Sequence, residues 1–359
     1  MFSWLSKYIA LTPNKPKEKI FVGVSGGVDS SVCLALLKDQ GYDVVGVFIR
    51  TWQPDFIECT WRSERRDAMR VCAYLNVPFV ELDLEQEYKQ GVADYMIAEY
   101  RAGRTPNPDV MCNREVKFGG FLKWALEHGA NYVATGHYAQ NKNNTLIQGV
   151  DSTKDQSYFL WTLTNEQLSH VLFPVGGFHK SNVRALAKKY QLPTAVKKDS
   201  QGICFIGEID MKEFLAHYIP KQPGDVLDIS GNLIGRHTGA LFFTLGERHG
   251  FEITKKGVDD KPLYVVAKDI IKNTITVSSN PKQETFGPKQ IMLVDTVWRI
   301  PLEMNKKYSA QIRYHGEMKS CYFIQDTEIV FDEPDYSLAP GQSIVVYDGN
   351  ICVGGGIVK

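Results

Sequence analysis

Three stretches of this chain hold side chains whose types and spacing could do chemistry. The first is "FVGVSGGVDSSVCLALL", where Ser25, Gly26, Gly27, Val28, Asp29, Ser30 and Ser31 follow an apolar run, with Gly23 and Val24 at its end, and lead into helical spacing. Two glycines let a backbone close on phosphate oxygens without a Cβ in the way. Three hydroxyls add donors, and a helix start offers N–H groups and a positive dipole end. The loop has neither the G-K-[ST] ending of the usual phosphate loop nor the G-x-G-x-x-G spacing. Lacking a lysine to pull on a γ-phosphate, it reads as a loop that holds a leaving pyrophosphate. The bland alternative is a glycine turn before a helix capped by Asp29 and the serines. The whole string between a strand and a helix favours phosphate binding.

The other two stretches hold cysteines. "PNPDVMCNREVKF" places Cys112 ahead of a helix whose N-cap is read as Asn113. A dipole end and Arg114 would lower the thiol's pKa, and Asp109 could take or give a proton. A half-buried packing cysteine in a proline-stiffened loop fits this stretch equally well. "VKKDSQGICFIGE" holds Cys204 between Gly202 and Gly207, with Lys197 and Lys198 upstream. Cationic neighbours favour a thiolate, and the glycines predict a mobile loop. Two candidate thiolates in a chain that also reads as nucleotide-binding point to sulfur transfer, one thiol carrying a persulfide and the other resolving it. Cys33, Cys72 and Cys352 fall inside helix or strand patterns and read as packing residues; Cys59 and Cys321 carry no signal either way.

These residues need a scaffold. "KIFVGVS", "YDVVGVFI", "VPFVEL" and "NYVATG" read as short buried strands. Between them lie helical patterns: "VCLALLKDQG" with a stop at Gly41, "SERRDAMRVCAYLN" with Ala68, Val71, Cys72 and Leu75 on one face, "LEQEYKQGVADYMIAEYRAG", and "REVKFGGFLKWALEHG". Strand and helix taking turns predict βαβ units, hence an α/β domain with a parallel sheet. Beyond about Gly207 the pattern becomes short strands with "SGN", "KNT" and "DGN" turns. The expected division is a poorly ordered leader over 1–18, an α/β domain over 19–207, a small β-rich central domain over 208–285 and a C-terminal β-barrel over 286–359.

Composition narrows the class. Of 359 residues 43% are hydrophobic and 23% charged, ordinary for a soluble protein. No apolar run reaches membrane-spanning length, and the start lacks a signal-peptide pattern, so a cytoplasmic protein is expected. Seven scattered cysteines without a C-x-x-C pair exclude a disulfide scaffold and argue against structural zinc. The formal net charge is zero, so a nucleic-acid partner would need a local basic surface.

The glycine loop resembles that of the ATP-pyrophosphatase superfamily. Together with "GRTPNPDVMCNREVKF", "ATGHYA", "DSTKDQSYFL", "FPVGGF", "KKDSQGICFIGE", "GERHG" and "PGQSIVVYDGNICVGGGI", it makes the chain resemble the tRNA-specific 2-thiouridylases from near residue 20 to the end. The resemblance implies an adenylating domain, a central domain and a barrel. It implies ATP, with magnesium on its phosphates, over Gly23–Ser30, with the adenine near Ile49 and Gly136. It implies adenylation of the wobble uridine's 2-oxygen, then sulfur transfer from a Cys204 persulfide. Cys112 would close a disulfide with Cys204 or attack the base itself, and Asp109 would act as general acid or base. For RNA it points to Asn107, Pro108 and Asp109 around a flipped base, to Lys154, Asp155 and Gln156, and to Arg313 and Tyr314. The implied partners are a tRNA anticodon stem-loop of the Lys, Glu and Gln isoacceptors and a persulfide donor such as a cysteine desulfurase or a sulfur-relay protein.

Read from the residues alone, Arg313 and Tyr314 belong to an ordinary barrel strand, and His137 is as well a satisfied loop histidine as a nucleotide contact. Glu247 in "LGERHG", where the pattern has Gln, and Phe in "ALFFT", where Tyr is common, depart from the family. One rival is an ammonia- or amino-acid-dependent ligase on the same loop, which would not need both Cys112 and Cys204. Another is a non-enzymatic RNA-binding or sulfur-carrier protein, which would not need the loop.

Overall fold

The computed structural model describes residues 18–57, 61–198, 210–254, 261–281 and 287–359. Cys59, Cys204 and nearly all of the expected leader lie outside the described residues.

Strands β1 (Lys19–Gly23), β2 (Asp43–Arg50), β3 (Phe79–Asp83), β4 (Tyr132–Ala134) and β7 (Val171–Leu172) form one parallel sheet in the order β3-β2-β1-β4-β7. Alternation along β1 sends Ile20 and Val22 to one face and Phe21 to the other, and both are buried. On the first face pack α1 (Val28–Asp39), α2 (Trp61–Tyr74) through the predicted Ala68, Val71 and Cys72, and the helix Lys180–Lys189 through Val183 and Ala187. On the second pack two long helices, 85–101 and 108–127, through Tyr88, Met96, Val116 and Phe121.

Both long helices widen to i→i+5 turns in mid-course, over Lys89–Asp94 and Cys112–Phe121. Such turns recur at functional sites, and here one begins at Cys112. The second helix also starts earlier than expected. Its N-cap is Asn107, whose side-chain oxygen accepts from the backbone N–H groups of Asp109 and Val110 at 3.1 Å each, with Pro108 at the first helical position. Asn113 is not the cap: it is buried one turn in, and its Nδ2 donates to the Asp109 carbonyl at 2.9 Å. Two cap-type residues competed, and proline beside Asn107 decided between them.

A hairpin of β5 (Ala139–Lys142) and β6 (Thr145–Gln148) turns through Asn143 and Asn144, both at positive φ, and leaves the parallel sheet to join the barrel sheet. The central domain is a five-stranded sheet, β8 (Gly224–Leu227), β9 (Leu233–His237), β10 (Phe251–Ile253), β11 (Tyr264–Asp269) and β12 (Thr274–Ser278), in the order β10-β9-β8-β12-β11. The C-terminal strands are β13 (Gln290–Trp298), β14 (Tyr308–Gln311), β15 (Met318–Gln325), β16 (Glu328–Phe331), β17 (Ser343–Asp348) and β18 (Ile351–Val358). They close a six-stranded barrel because β13 pairs with both β16 and β18. The "SGN", "KNT" and "DGN" turns connect β8–β9, β11–β12 and β17–β18 as expected.

Candidate active site

Strand order runs one way from β1 to β3 and the other way through β4 to β7, so the switch point lies between β1 and β4. Ligands of open parallel sheets bind outside the carboxyl ends of the strands at such a point. From β1 comes the glycine loop, and from β4 come Thr135, Gly136 and His137. Gly26 has φ +72°, and a Cβ there would come within 2.4 Å of the Glu64 carbonyl, so only glycine makes this turn. Gly136 packs so closely that its Cβ would lie 2.9 Å from the Ser30 nitrogen. Ile49, at the end of β2, is buried, and the Val24 nitrogen donates to Val47 at 2.8 Å. Every residue predicted for the nucleotide therefore sits at one end of the sheet.

Among the described residues no side-chain cap is made to the first-turn N–H groups of α1, whose N-cap is Gly27. The hydroxyls are organised around them. Ser25 Oγ and Ser30 Oγ lie 3.3 Å apart, and Ser31 Oγ donates to the Gly27 carbonyl at 2.6 Å. Asp29 turns away from a capping role: its carboxylate accepts from Tyr138 Oη at 2.8 Å and from Lys180 Nζ, 2.8 Å from each oxygen. Lys197 Nζ donates to the Gly26 carbonyl at 3.1 Å and pairs with Asp67 at 2.8 Å. The loop thus has donors and nearby cations, which fits a polyphosphate. Among the described residues no group of three or more His, Cys, Asp and Glu side chains is arranged for a metal.

The Cys112 helix packs on this end of the sheet. Phe121 faces Gly23, and Lys117 Nζ lies 3.4 Å from His137 Nε2. Burial, and secondarily Lys117, push the His137 pKa well below the ordinary histidine value. Neutral His137 then accepts from Lys117 at Nε2 and donates from Nδ1 to Thr135 Oγ1 at 2.7 Å. Cys112 itself is buried. Burial pushes Cys72 and Cys352 up to about 11 and Cys321 up to about 12, and Cys33 well above its usual range, so these four are protonated packing thiols.

The residues singled out for RNA converge at the seam between the α/β domain and the barrel. The Thr105 nitrogen donates to the Pro340 carbonyl at 2.7 Å, which lays the Asn107–Asp109 turn on the barrel. The Tyr314 ring lies against Phe159, centroids 4.3 Å apart and planes tilted by 45°. Burial, with the charges of Asp155 and Asp109, pushes Tyr314 up to about 12. Burial raises Tyr158 as well, against a hydrogen bond from Asn107 and the charge of Arg313. Asp155 accepts from the nitrogens of Gly149 and Ser157 at 2.8 and 3.1 Å, while Lys154 lies half-buried beside it. Gln156 Oε1 accepts from the Tyr138 nitrogen at 3.0 Å. Arg313 donates to the carbonyls of Leu245 and of Ser337, which joins the barrel to the central domain. Sequence reasoning missed Tyr138 and Lys180; each stands in or beside a quoted motif, but nothing local marks what it touches.

The fold is an α/β domain with a glycine loop at its switch point, followed by two β domains. Residues 18–208 match the family described as "tRNA methyl transferase HUP domain", residues 212–279 its "PRC-barrel domain", and residues 288–358 an "Aminomethyltransferase beta-barrel domain". Proteins named tRNA-specific 2-thiouridylase from Histophilus somni and Listeria monocytogenes are each 43% identical, over 96% and 97% of this chain and 93% and 96% of their own. That from Pseudomonas aeruginosa is 42% identical over 97% and 96%. The chain belongs to the family of tRNA-specific 2-thiouridylases.

Proposed function

We propose that this protein thiolates the wobble uridine of tRNA at position 2, using ATP. The observation that carries the reading is the meeting, at one sheet end, of a phosphate-ready loop and the helix that bears Cys112, beside a seam lined by Asn107, Asp109 and Tyr314. The uracil 2-oxygen attacks the α-phosphorus; that O–P bond forms, the bond to the β-phosphate bridge breaks, and pyrophosphate leaves over the α1 N-terminus. The terminal persulfide sulfur on Cys204 then attacks C2, and AMP leaves with the former 2-oxygen. Attack by Cys112 on the Cys204 sulfur breaks the S–S bond, leaves the sulfur on C2, and forms a Cys112–Cys204 disulfide that a thiol reductant must reset. In the alternative order Cys112 attacks the base directly. Asp109 takes and returns the proton in this reading. The base must leave its stack, and Tyr314 with Phe159 offers it an aromatic neighbour.

The test is nucleotide turnover. The protein with unmodified tRNA, ATP, a persulfide donor (a cysteine desulfurase with cysteine) and a thiol reductant should release AMP and pyrophosphate in equal amounts, and neither without tRNA. Absence of tRNA-dependent AMP would sink the reading and favour a binding or sulfur-carrier protein.

A further inference from the structure

The glycine loop poses an electrostatic problem that its own sequence does not solve. It is built to receive a polyphosphate, yet it carries a carboxylate, Asp29, in the first turn of α1 and no lysine. The structure places one lysine on that carboxylate. Lys180 Nζ sits 2.8 Å from both Asp29 oxygens and 5.6 Å from the centre of the Tyr138 ring. Its side chain is only 15% exposed, so it is held by its surroundings. Its backbone is fixed too: the Lys180 nitrogen donates to Asp151 Oδ2 at 2.9 Å, and its helix packs on α1. An ammonium has three donors and a flexible four-carbon stem. It can therefore exchange a carboxylate for phosphate oxygens without leaving the site.

We propose that Lys180 is the lysine the loop lacks, parked on Asp29 in the nucleotide-free protein and donating to the β- and γ-phosphates when ATP binds. This deepens the ATP-dependent reading above and rests on it. When the α-phosphorus bond breaks, its electron pair ends on pyrophosphate, and Lys180 faces that growing charge. Asp29 and Tyr138 act as positioning residues that hold the ammonium in place before the nucleotide arrives. The role belongs to the phosphate tail alone, so AMP, which lacks the β- and γ-phosphates, should be indifferent to Lys180.

That difference supplies the test, by calorimetric binding of α,β-methylene ATP and of AMP to the full chain. Lys180→Met should weaken the triphosphate analogue about ten- to hundredfold, the range expected for losing a charge-assisted contact, and leave AMP within about twofold. Lys180→Arg should keep most of the affinity. Because Lys180→Met leaves Asp29 without its cation, the double variant Asp29→Asn/Lys180→Met, which removes both charges, is measured beside it; it should fold and still bind the triphosphate weakly. Equal effects on both nucleotides, or wild-type triphosphate affinity in the double variant, would show that Lys180 only neutralises Asp29 and would overturn the proposal. Wild-type protein that binds neither nucleotide would instead overturn the ATP reading, and the proposal with it.

Discussion

At the scale of single residues, the nucleotide end of the sheet is controlled by what cannot be added to it. Gly26→Ala places a side chain at φ +72° against the Glu64 carbonyl. It should weaken ATP binding at least about tenfold and lower the thermal midpoint by several degrees; unchanged affinity would remove the steric argument for the loop. His137 gives a pH signature. Its folded pKa is depressed, so in the range below the ordinary histidine value the unfolded chain binds a proton that the folded protein does not. Its contribution to stability is complete above about pH 6.5 and is lost as pH falls from there towards the folded pKa. His137→Gln should flatten the acid limb of a denaturation-midpoint profile below about pH 6.5. The Ser25–Ser30 loop was legible in the sequence because its chemistry is local: consecutive residues make the turn and the helix start. Lys180 and Tyr138 were not, because they meet Asp29 from positions 151 and 109 residues away, and only the order of the parallel strands brings them there.

At the scale of elements, the helix beginning at Pro108 positions the thiol. Asn107→Ala removes two cap hydrogen bonds and should cost about 1 kcal/mol in urea denaturation, whereas a cap at Asn113 would make that change silent. The alternation of strands and helices was readable from hydrophobic period, so the parallel sheet followed. The helix start was misread because Asn113 is itself a good cap type, whereas Pro108 at the first helical position makes Asn107 the cap. The β5–β6 hairpin escaped notice because its strands are short and polar, and its pairing partner is β18, at the far end of the chain. In the central domain, burial holds Lys268 down to about 8 while its ammonium donates to the Phe243 carbonyl at 2.8 Å. A depressed folded pKa means stability that is complete above about pH 10.5 and lost as pH falls through about 8. At pH 7 the buried charge costs up to ~3 kcal/mol. Lys268→Met should therefore raise the midpoint at pH 7 and lose that advantage by about pH 10.

At the scale of the whole molecule, the α/β domain and the barrel are joined by polar contacts as well as by packing. Arg299 is buried and donates to the carbonyls of Trp161 at 2.6 Å, Leu163 at 2.9 Å and Cys352 at 2.8 Å. The first two belong to the α/β side and the third to the barrel. Arg299→Met leaves three carbonyls without this donor and should cost ~3 kcal/mol or more; scanning calorimetry should show the single melt broadening or splitting as the barrel uncouples. Because the Asn107–Asp109 turn and Tyr314 face each other across this junction, the same variant should lose tRNA affinity before it loses ATP affinity. Nothing in the sequence near Arg299 announces this, since its partners come from two distant stretches.

The central claim is that this site moves sulfur onto a uridine, and one measurement addresses it most directly. Unmodified tRNA transcripts are incubated with ATP, a persulfide donor (a cysteine desulfurase with cysteine), a thiol reductant and the wild-type, Cys112→Ser or Cys204→Ser protein, and the anticodon loop is read by mass spectrometry. The account predicts a gain of one sulfur in place of one oxygen at the wobble uridine, dependent on ATP, with wild type and with neither variant. Thiolation that persists in both cysteine variants, or a wild-type protein that consumes ATP and leaves the uridine unchanged, would contradict it.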